Sequence, residues 1–268
     1  MLKKVAIITG ASSGIGKACA LAFSNKGYNV ALAARNQNKL NDVVIECETI
    51  GAKAIAVSTD VSQEEDCKRL IEKTIAEFGR IDVLVNNAGI SMRAVFNDLD
   101  LDVLRQVMDI NFWGMVYCTK YALPHILAQK GSVVGVSSIA GYRGLPARTG
   151  YSASKFAMNG FLEALRTENF KTGLHVLTIC PGFTASNIRN AALTADGSSQ
   201  GESPREEIKM MQPEEVADIM IRGIENRKKI ITLTTQGKLT VFLNKWFPSF
   251  MDKMVYNTIK KEPDSPFK

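Results

Sequence analysis

Tyr151 and Lys155 stand four residues apart in "GYSASKFAMNG" (150–160), with only Ser152, Ala153 and Ser154 between them. The run "FAMNGFLEAL" that follows reads as helix. Residues four apart on a helix share a face, with roughly 5–6 Å between their Cβ atoms. A cation beside a phenol makes it a better proton donor and makes its anion a more stable base. The plainer reading is an ordinary Tyr–Lys pair on a solvated helix face. This stretch leaves both readings open.

A second stretch points to a nucleotide. "TGASSGIG" (9–16) follows an apolar run and opens a helical one, with Gly10, Gly14 and Gly16 spaced GxxxGxG. Small residues there let the backbone approach a pyrophosphate, and a helix N-terminus offers unpaired N–H groups and a positive dipole end. The next apolar run ends "ALAARN", with Ala34 where an NAD-binding fold usually places an acid for the ribose 2′-hydroxyl, and Arg35 beside it. An arginine fork suits a 2′-phosphate, so NADP(H) is expected over NAD(H). The alternative is a surface arginine with no ligand.

The elements that must hold these residues alternate along the chain. "KVAIIT" (4–9), "NVALAA" (29–34), "KAIAVS" (53–58), "DVLVNN" (82–87), "SVVGVS" (132–137), "HVLTIC" (175–180) and "KIITLT" (229–234) read as buried strands, with amphipathic helical patterns between them. Near-continuous apolar strands alternating with helices predict a doubly wound α/β fold of Rossmann type, a seven-stranded parallel sheet with helices on both faces. One catalytic domain is expected over 1–235. The polar stretch "TADGSSQGESPREEIK" interrupts it, and 194–211 is expected to be a mobile substrate lid. Residues 236–268 form a basic, apolar helical extension.

Composition narrows the classes. A chain of 268 residues that is 46% hydrophobic and 22% charged is ordinary for a soluble α/β domain. Five scattered cysteines with no CxxC argue for a reducing compartment and against a disulfide scaffold or zinc site. His125 and His175 are too few for a histidine-rich metal site and read as helix-end and strand-end residues. "MLKKVAIITG" is broken by small residues too soon for a signal peptide, so a cytoplasmic protein is expected. The net charge of +6 resides in the tail: Arg227–Lys268 holds nine Lys or Arg and three Asp or Glu. A basic tail on a neutral body raises the question of an anionic partner.

Taken in order, these motifs resemble the short-chain dehydrogenase/reductase family from about residue 3 to 235. "TGASSGIG" resembles its cofactor loop, including Ser12, Ser13 and Ile15; Asp60-Val61 resembles its adenine-contacting pair; "NNAG" (86–89), with Asn87, Ala88 and Gly89, resembles the signature closing the fourth strand. Asn111, Ser138, Tyr151 and Lys155 match its catalytic tetrad, and Pro181-Gly182 matches the turn that lines the nicotinamide site. The family places its serine 13 residues before the tyrosine, which selects Ser138 over Ser137. It usually has a threonine five residues after the proline; here that position is Ser186, with Thr184 two earlier, so either hydroxyl could touch the carboxamide.

The resemblance implies that Tyr151 protonates a carbonyl oxygen while hydride arrives from the nicotinamide. Lys155 would lower the tyrosine's pKa and hold the nicotinamide ribose, Ser138 would bond the substrate oxygen, and Asn111 would hold a water that links Lys155 to solvent. No metal and no nucleic acid is implied. The expected activity is NADPH-dependent reduction of a ketone, or the reverse oxidation of a secondary alcohol, by a homodimer or homotetramer. A non-catalytic NADP-binding or sensing module is the alternative; the extended epimerases are disfavoured by the short C-terminal part. Phe112, Trp113, Phe161 and Leu165 are candidates to pair across a two-fold axis. In the tail, Leu239, Phe242, Leu243, Trp246, Phe250 and Met254 recur at helical spacing around Pro248, punctuated by Lys238, Lys245 and Lys253. That pattern suits a lipophilic substrate. It fits either a segment folded over the pocket or a peripheral contact of 237–261 with an anionic membrane.

Overall fold

The computed structural model describes residues 2–182, 184–185, 188–201, 210–262 and 265–267. Seven strands, β1 (Val5–Thr9), β2 (Asn29–Ala34), β3 (Ala54–Ser58), β4 (Val83–Asn86), β5 (Ser132–Val136), β6 (His175–Cys180) and β7 (Ile230–Thr232), form one sheet in the order β3-β2-β1-β4-β5-β6-β7. Every pairing is parallel. The strand order reverses between β1 and β4, and the crevice outside that reversal is where open α/β sheets bind ligands.

Side chains along a strand alternate between the two faces of the sheet. Ala6 and Ile8 of β1, with Val83 and Val85 of β4, therefore pack toward α1 (Gly14–Asn25), α2 (Gln37–Thr49) and α7 (Pro213–Glu225). Val5, Ile7 and Leu84 pack on the other face toward α3 (Glu64–Phe78), α5 (Gly114–Ala128) and α6 (Thr149–Glu168). Two apolar faces explain why these strands carry no polar alternation. Phe23, 1% exposed and at the centre of the first cluster, contributes roughly 1.5–3 kcal/mol by burial.

The helical pattern over 100–128 is not one helix. α4 (Leu101–Met108) runs into a π-helical turn at Asp109–Trp113, and α5 continues from Gly114. Such a turn holds one residue more than an α-turn and commonly marks a functional site; here it carries Asn111. Leu165 belongs to the core under α6 and is 6% exposed, so it is not available for pairing between copies; Trp113 is exposed. His175 is structural, its ring bonded to Ser132 Oγ (3.0 Å) and to the Lys228 carbonyl (2.8 Å).

The expected lid is described only in part, since 202–209 lies outside the described residues. Its start is docked: Asp100 N–H donates to the Ala195 carbonyl (2.9 Å), and just before it Arg93 N–H donates to the Leu193 carbonyl (2.8 Å) and Leu193 N–H to Ser91 (2.9 Å). The tail folds as α8 (Thr235–Trp246) and α9 (Pro248–Lys260), split at Pro248 where a helical N–H is missing. Met251, Val255 and Ile259 of α9 pack on Leu145, in the stretch that leads to Tyr151.

Candidate active site

Tyr151 and Lys155 lie on the first two turns of α6, against the C-terminal end of β5. They are not a solvated pair. Lys155 is 3% exposed, its Nζ donates to the Val136 carbonyl (2.9 Å), and it lies 5.7 Å from the centre of the Tyr151 ring. Burial lowers the Lys155 ammonium from 10.5 to about 8. The nearby Cys180 thiol, at the end of β6, is pushed up to about 12 by burial, so it is neutral and supplies no counter-charge.

The Tyr151 phenol departs from expectation. Its pKa is raised, not lowered, because desolvation outweighs a hydrogen bond from Ser138 and the positive charges of Arg148 and Arg189. The consequence is a hydroxyl that stays protonated at neutral pH, the state a proton donor needs.

Ser138 reaches this phenol, while its Oγ also accepts the Ala140 N–H (3.1 Å) at the start of a 3₁₀ turn over Ile139–Gly141. Ser137, one residue earlier, is buried beside Cys180. Asn111 is fully buried. Its Oδ1 accepts from Ile90 N (2.8 Å), and its Nδ2 donates to Ile90 O (2.9 Å) and to Ser154 Oγ (2.9 Å). Asn111 therefore brackets the loop after β4 to α6, one residue from Lys155. Gly89 is small because a Cβ there would meet Asn111 Oδ1 at 3.0 Å and Lys155 Nζ at 3.7 Å.

The glycine loop has the shape of a phosphate cradle. Gly10 and Gly14 have φ of 65° and 52°, a region that favours glycine. A Cβ on Gly16 would come within 2.1 Å of the Gly10 carbonyl oxygen. Ser13 precedes α1 in extended backbone without capping it through its side chain, and the first turn holds no acid. The first N–H groups of α1 are thus presented toward the loop, which Ser12 and Ile15 flank. Asn87 shapes the loop from behind: its Nδ2 donates to Thr9 O (2.9 Å) and Gly10 O (3.3 Å), while Asn87 N and Ala88 N donate to Thr9 Oγ1. These residues fit a dinucleotide pyrophosphate.

The remaining cofactor candidates fall along the same edge. Arg35 is exposed at the end of β2, next to partly buried Ala34, and among the described residues it has no acid within ion-pair distance. Asp60 accepts from Ser62 N (3.0 Å) and Ser62 Oγ (2.8 Å), fixing the turn into α3. Val61 is buried against Gly114. Gly182, after Pro181, sits so close to Thr234 that a Cβ would be 2.6 Å from its methyl. Thr184 is 5% exposed, with its Oγ1 3.4 Å from the Gly182 carbonyl. Ser186 lies outside the described residues.

Sequence reasoning missed four groups: Ser154, which receives Asn111; Arg148 and Arg189, whose charges face Tyr151; and Cys180 beneath the pair. Arg148 and Ser154, each three residues from Tyr151, were the two that lay close in sequence.

The sequence matches the family described as short chain dehydrogenase over residues 4–197. The chain is a short-chain dehydrogenase/reductase. It is 34% identical over 265 residues to dehydrogenase/reductase SDR family member 7B of Xenopus laevis, covering 96% of this chain and 82% of that one. It is 31% identical over 271 residues to 11-beta-hydroxysteroid dehydrogenase A of Sesamum indicum, covering 97% and 78%. A short-chain dehydrogenase/reductase structure from Burkholderia phymatum, in complex with NAD, shares the fold with a TM-score of 0.82 at 24% identity over 92% of this chain and 95% of that one. An alcohol dehydrogenase of Thermococcus sibiricus, complexed with 5-hydroxy-NADP, gives 0.76 at 25% identity over 86% and 96%. Oxidoreductase chemistry on a small molecule with a nicotinamide cofactor follows from this membership.

Burial of Lys155 has a measurable consequence in the cofactor-free protein. Its folded pKa of about 8 lies below 10.5, so the charged form destabilises the fold. The penalty is complete below about pH 8 and is released as pH rises toward 10.5. Lys155→Met is expected to abolish turnover yet stabilise the protein by about 2 kcal/mol at pH 7. Thermal melts at pH 7 and pH 10 check this: the gain should shrink at the higher pH. A variant less stable than the parent at pH 7 contradicts it.

Proposed function

We propose that this protein is an NADPH-dependent reductase of lipophilic ketones, able to run the reverse oxidation of the secondary alcohol. The observation that carries the reading is Lys155, buried beside the half-buried Tyr151, whose phenol Ser138 reaches, at the C-terminal end of β5. The bound cofactor would supply the hydride. Tyr151 Oη delivers the proton to the carbonyl oxygen, Ser138 Oγ orients that oxygen, and Lys155 stabilises charge on the phenolate left behind. Asn111 keeps α6 in register through Ser154. Gly10, Gly14 and Gly16 would admit the pyrophosphate, Arg35 the 2′-phosphate, and Thr184 or Ser186 the carboxamide. Five free cysteines, all buried, fit work in a reducing cytoplasm. Assembly as a homodimer or homotetramer, with exposed Trp113 at the contact, belongs to the same reading.

The tail supports a peripheral membrane contact. Leu239, Phe242, Trp246, Phe247 and Phe250 are each more than half exposed, far more apolar surface than scattered single residues explain. Lys238, Lys245 and Lys253 are also exposed, and the one acid of 235–261, Asp252, is paired with Arg143. No helix among the described residues is long and apolar enough to cross a membrane. An amphipathic pair of this kind rests on an anionic bilayer. The protein is expected to co-sediment with vesicles containing phosphatidylserine and to be released by high salt, and Phe242→Glu/Phe250→Glu should not bind. Equal sedimentation of both proteins overturns the contact. A carbonyl panel with NADPH consumption as readout tests the activity itself.

A further inference from the structure

Glu262 lies just beyond α9 and is 5% exposed. Its Oε2 stands 3.6 Å from Arg93 Nη2 and 3.6 Å from Arg148 Nη2, and these side chains are themselves 9% and 14% exposed. A buried carboxylate is tolerated where opposite charge surrounds it, and its removal takes negative charge away from its partners. The two arginines come from neighbouring segments. Ala94 N–H donates to the Ala147 carbonyl (3.0 Å), and Ala94 pairs with Arg148 in a short parallel bridge. Arg148 immediately precedes α6, three residues from Tyr151, and its charge acts on the phenol.

The tail grips the same stretch elsewhere. Arg143 donates to Asp252 (2.6 Å) and to Asn244 (3.0 Å), and Asn244 donates to the Tyr142 carbonyl (3.0 Å). Leu145 packs on Met251, Val255 and Ile259. The segment between Ser138 and Tyr151 is therefore held from outside by the end of the chain.

We propose that Glu262 is a positioning residue: it fastens the C-terminal end of the chain onto Arg93 and Arg148, and through Arg148 it sets the positive charge that faces the Tyr151 hydroxyl. The inference rests on Tyr151 being the proton donor. The groups that face the phenol are Ser138, Arg148, Arg189 and Cys180, with Lys155 beside the ring. Among the described residues, Arg148 is the member of this set that meets Glu262 of the tail. Removing the Glu262 charge leaves Arg148 more strongly positive toward the phenol, which favours phenolate. The Tyr151 titration then moves down. Removing the Arg148 charge moves it up.

Two variants with opposite signs separate this role from loosened structure. The phenolate absorbance of Tyr151 is isolated by subtracting the titration of the matching Tyr151→Phe chain. Glu262→Gln is expected to shift that titration down by about half a pH unit, less than the roughly 1–3 units of a direct charge neighbour. Arg148→Gln should shift it up, and Glu262→Asp should restore the parent value. Where the parent reduces a ketone from the panel, kcat should change in Glu262→Gln while NADPH affinity does not. The titration needs no substrate, so it stands even if no ketone is reduced. Coincident titrations for the parent and Glu262→Gln, or shifts of the same sign in Glu262→Gln and Arg148→Gln, overturn the proposal. So does loss of folding in Glu262→Gln with an unshifted titration in Arg148→Gln.

Discussion

Tyr151→Phe is expected to lower ketone reduction by about 10²-fold or more while NADPH still binds, the scale of a lost general acid. The substitution removes one hydroxyl and leaves the ring, so α6 and its packing persist. What disappears is the proton donor and the acceptor of the Ser138 hydrogen bond. The lowered pKa of Lys155 and the raised pKa of Tyr151 add a pH signature. Reduction needs a protonated phenol, and the neighbouring ammonium helps only while it is charged. Reduction should therefore fall as pH rises through the Lys155 transition near 8, with bound phosphate and ribose free to move that point. Initial rates with NADPH and tight-binding titration of NADPH on both proteins check the split. Full activity in Tyr151→Phe refutes the role.

The second large effect concerns the 2′-phosphate. Arg35 is exposed at the end of β2 and makes no ion pair among the described residues, and Ala34 leaves no acid to repel a phosphate. Hydrogen bonds to a charged group contribute about 1.5–3 kcal/mol, so kcat/KM should favour NADPH over NADH by roughly 10- to 100-fold. Ala34→Asp/Arg35→Ala supplies an acceptor for the 2′-hydroxyl and a like charge against the phosphate, and should reverse the preference. Equal kcat/KM for the two cofactors in the parent contradicts the arginine argument.

The sheet was legible because strands buried on both faces must be continuously apolar, and each of the seven observed strands falls inside its expected run. The split at Pro248 was legible for an equally local reason, the missing N–H. The choice of Ser138 over Ser137 came from the family's 13-residue spacing; in the fold Ser138 reaches the Tyr151 phenol and Ser137 is buried. Other features depend on contacts that no local pattern encodes. The helical stripe of α6 contains Leu165, and a stripe does not say whether core or a second copy covers it; the core does. The pattern over 100–128 hides a π-helical turn, because one extra residue barely disturbs an apolar periodicity. The sign of the Tyr151 shift was misjudged because a four-residue spacing reveals the cation but not the depth of burial. Glu262 and the two arginines it meets come from separate parts of the chain that only the fold brings together.

The most direct test of hydride transfer is to follow the hydride itself. The protein is incubated with NADPH carrying deuterium at the transferable ring position and with a panel of lipophilic ketones, and the products are weighed. The expected product is a secondary alcohol with one deuterium on the carbinol carbon, formed one for one with NADP⁺ and at a rate lower by about 10²-fold or more with Tyr151→Phe. NADPH that binds tightly while no ketone in the panel gains the label would contradict it, and would leave a nucleotide-binding module in place of a reductase.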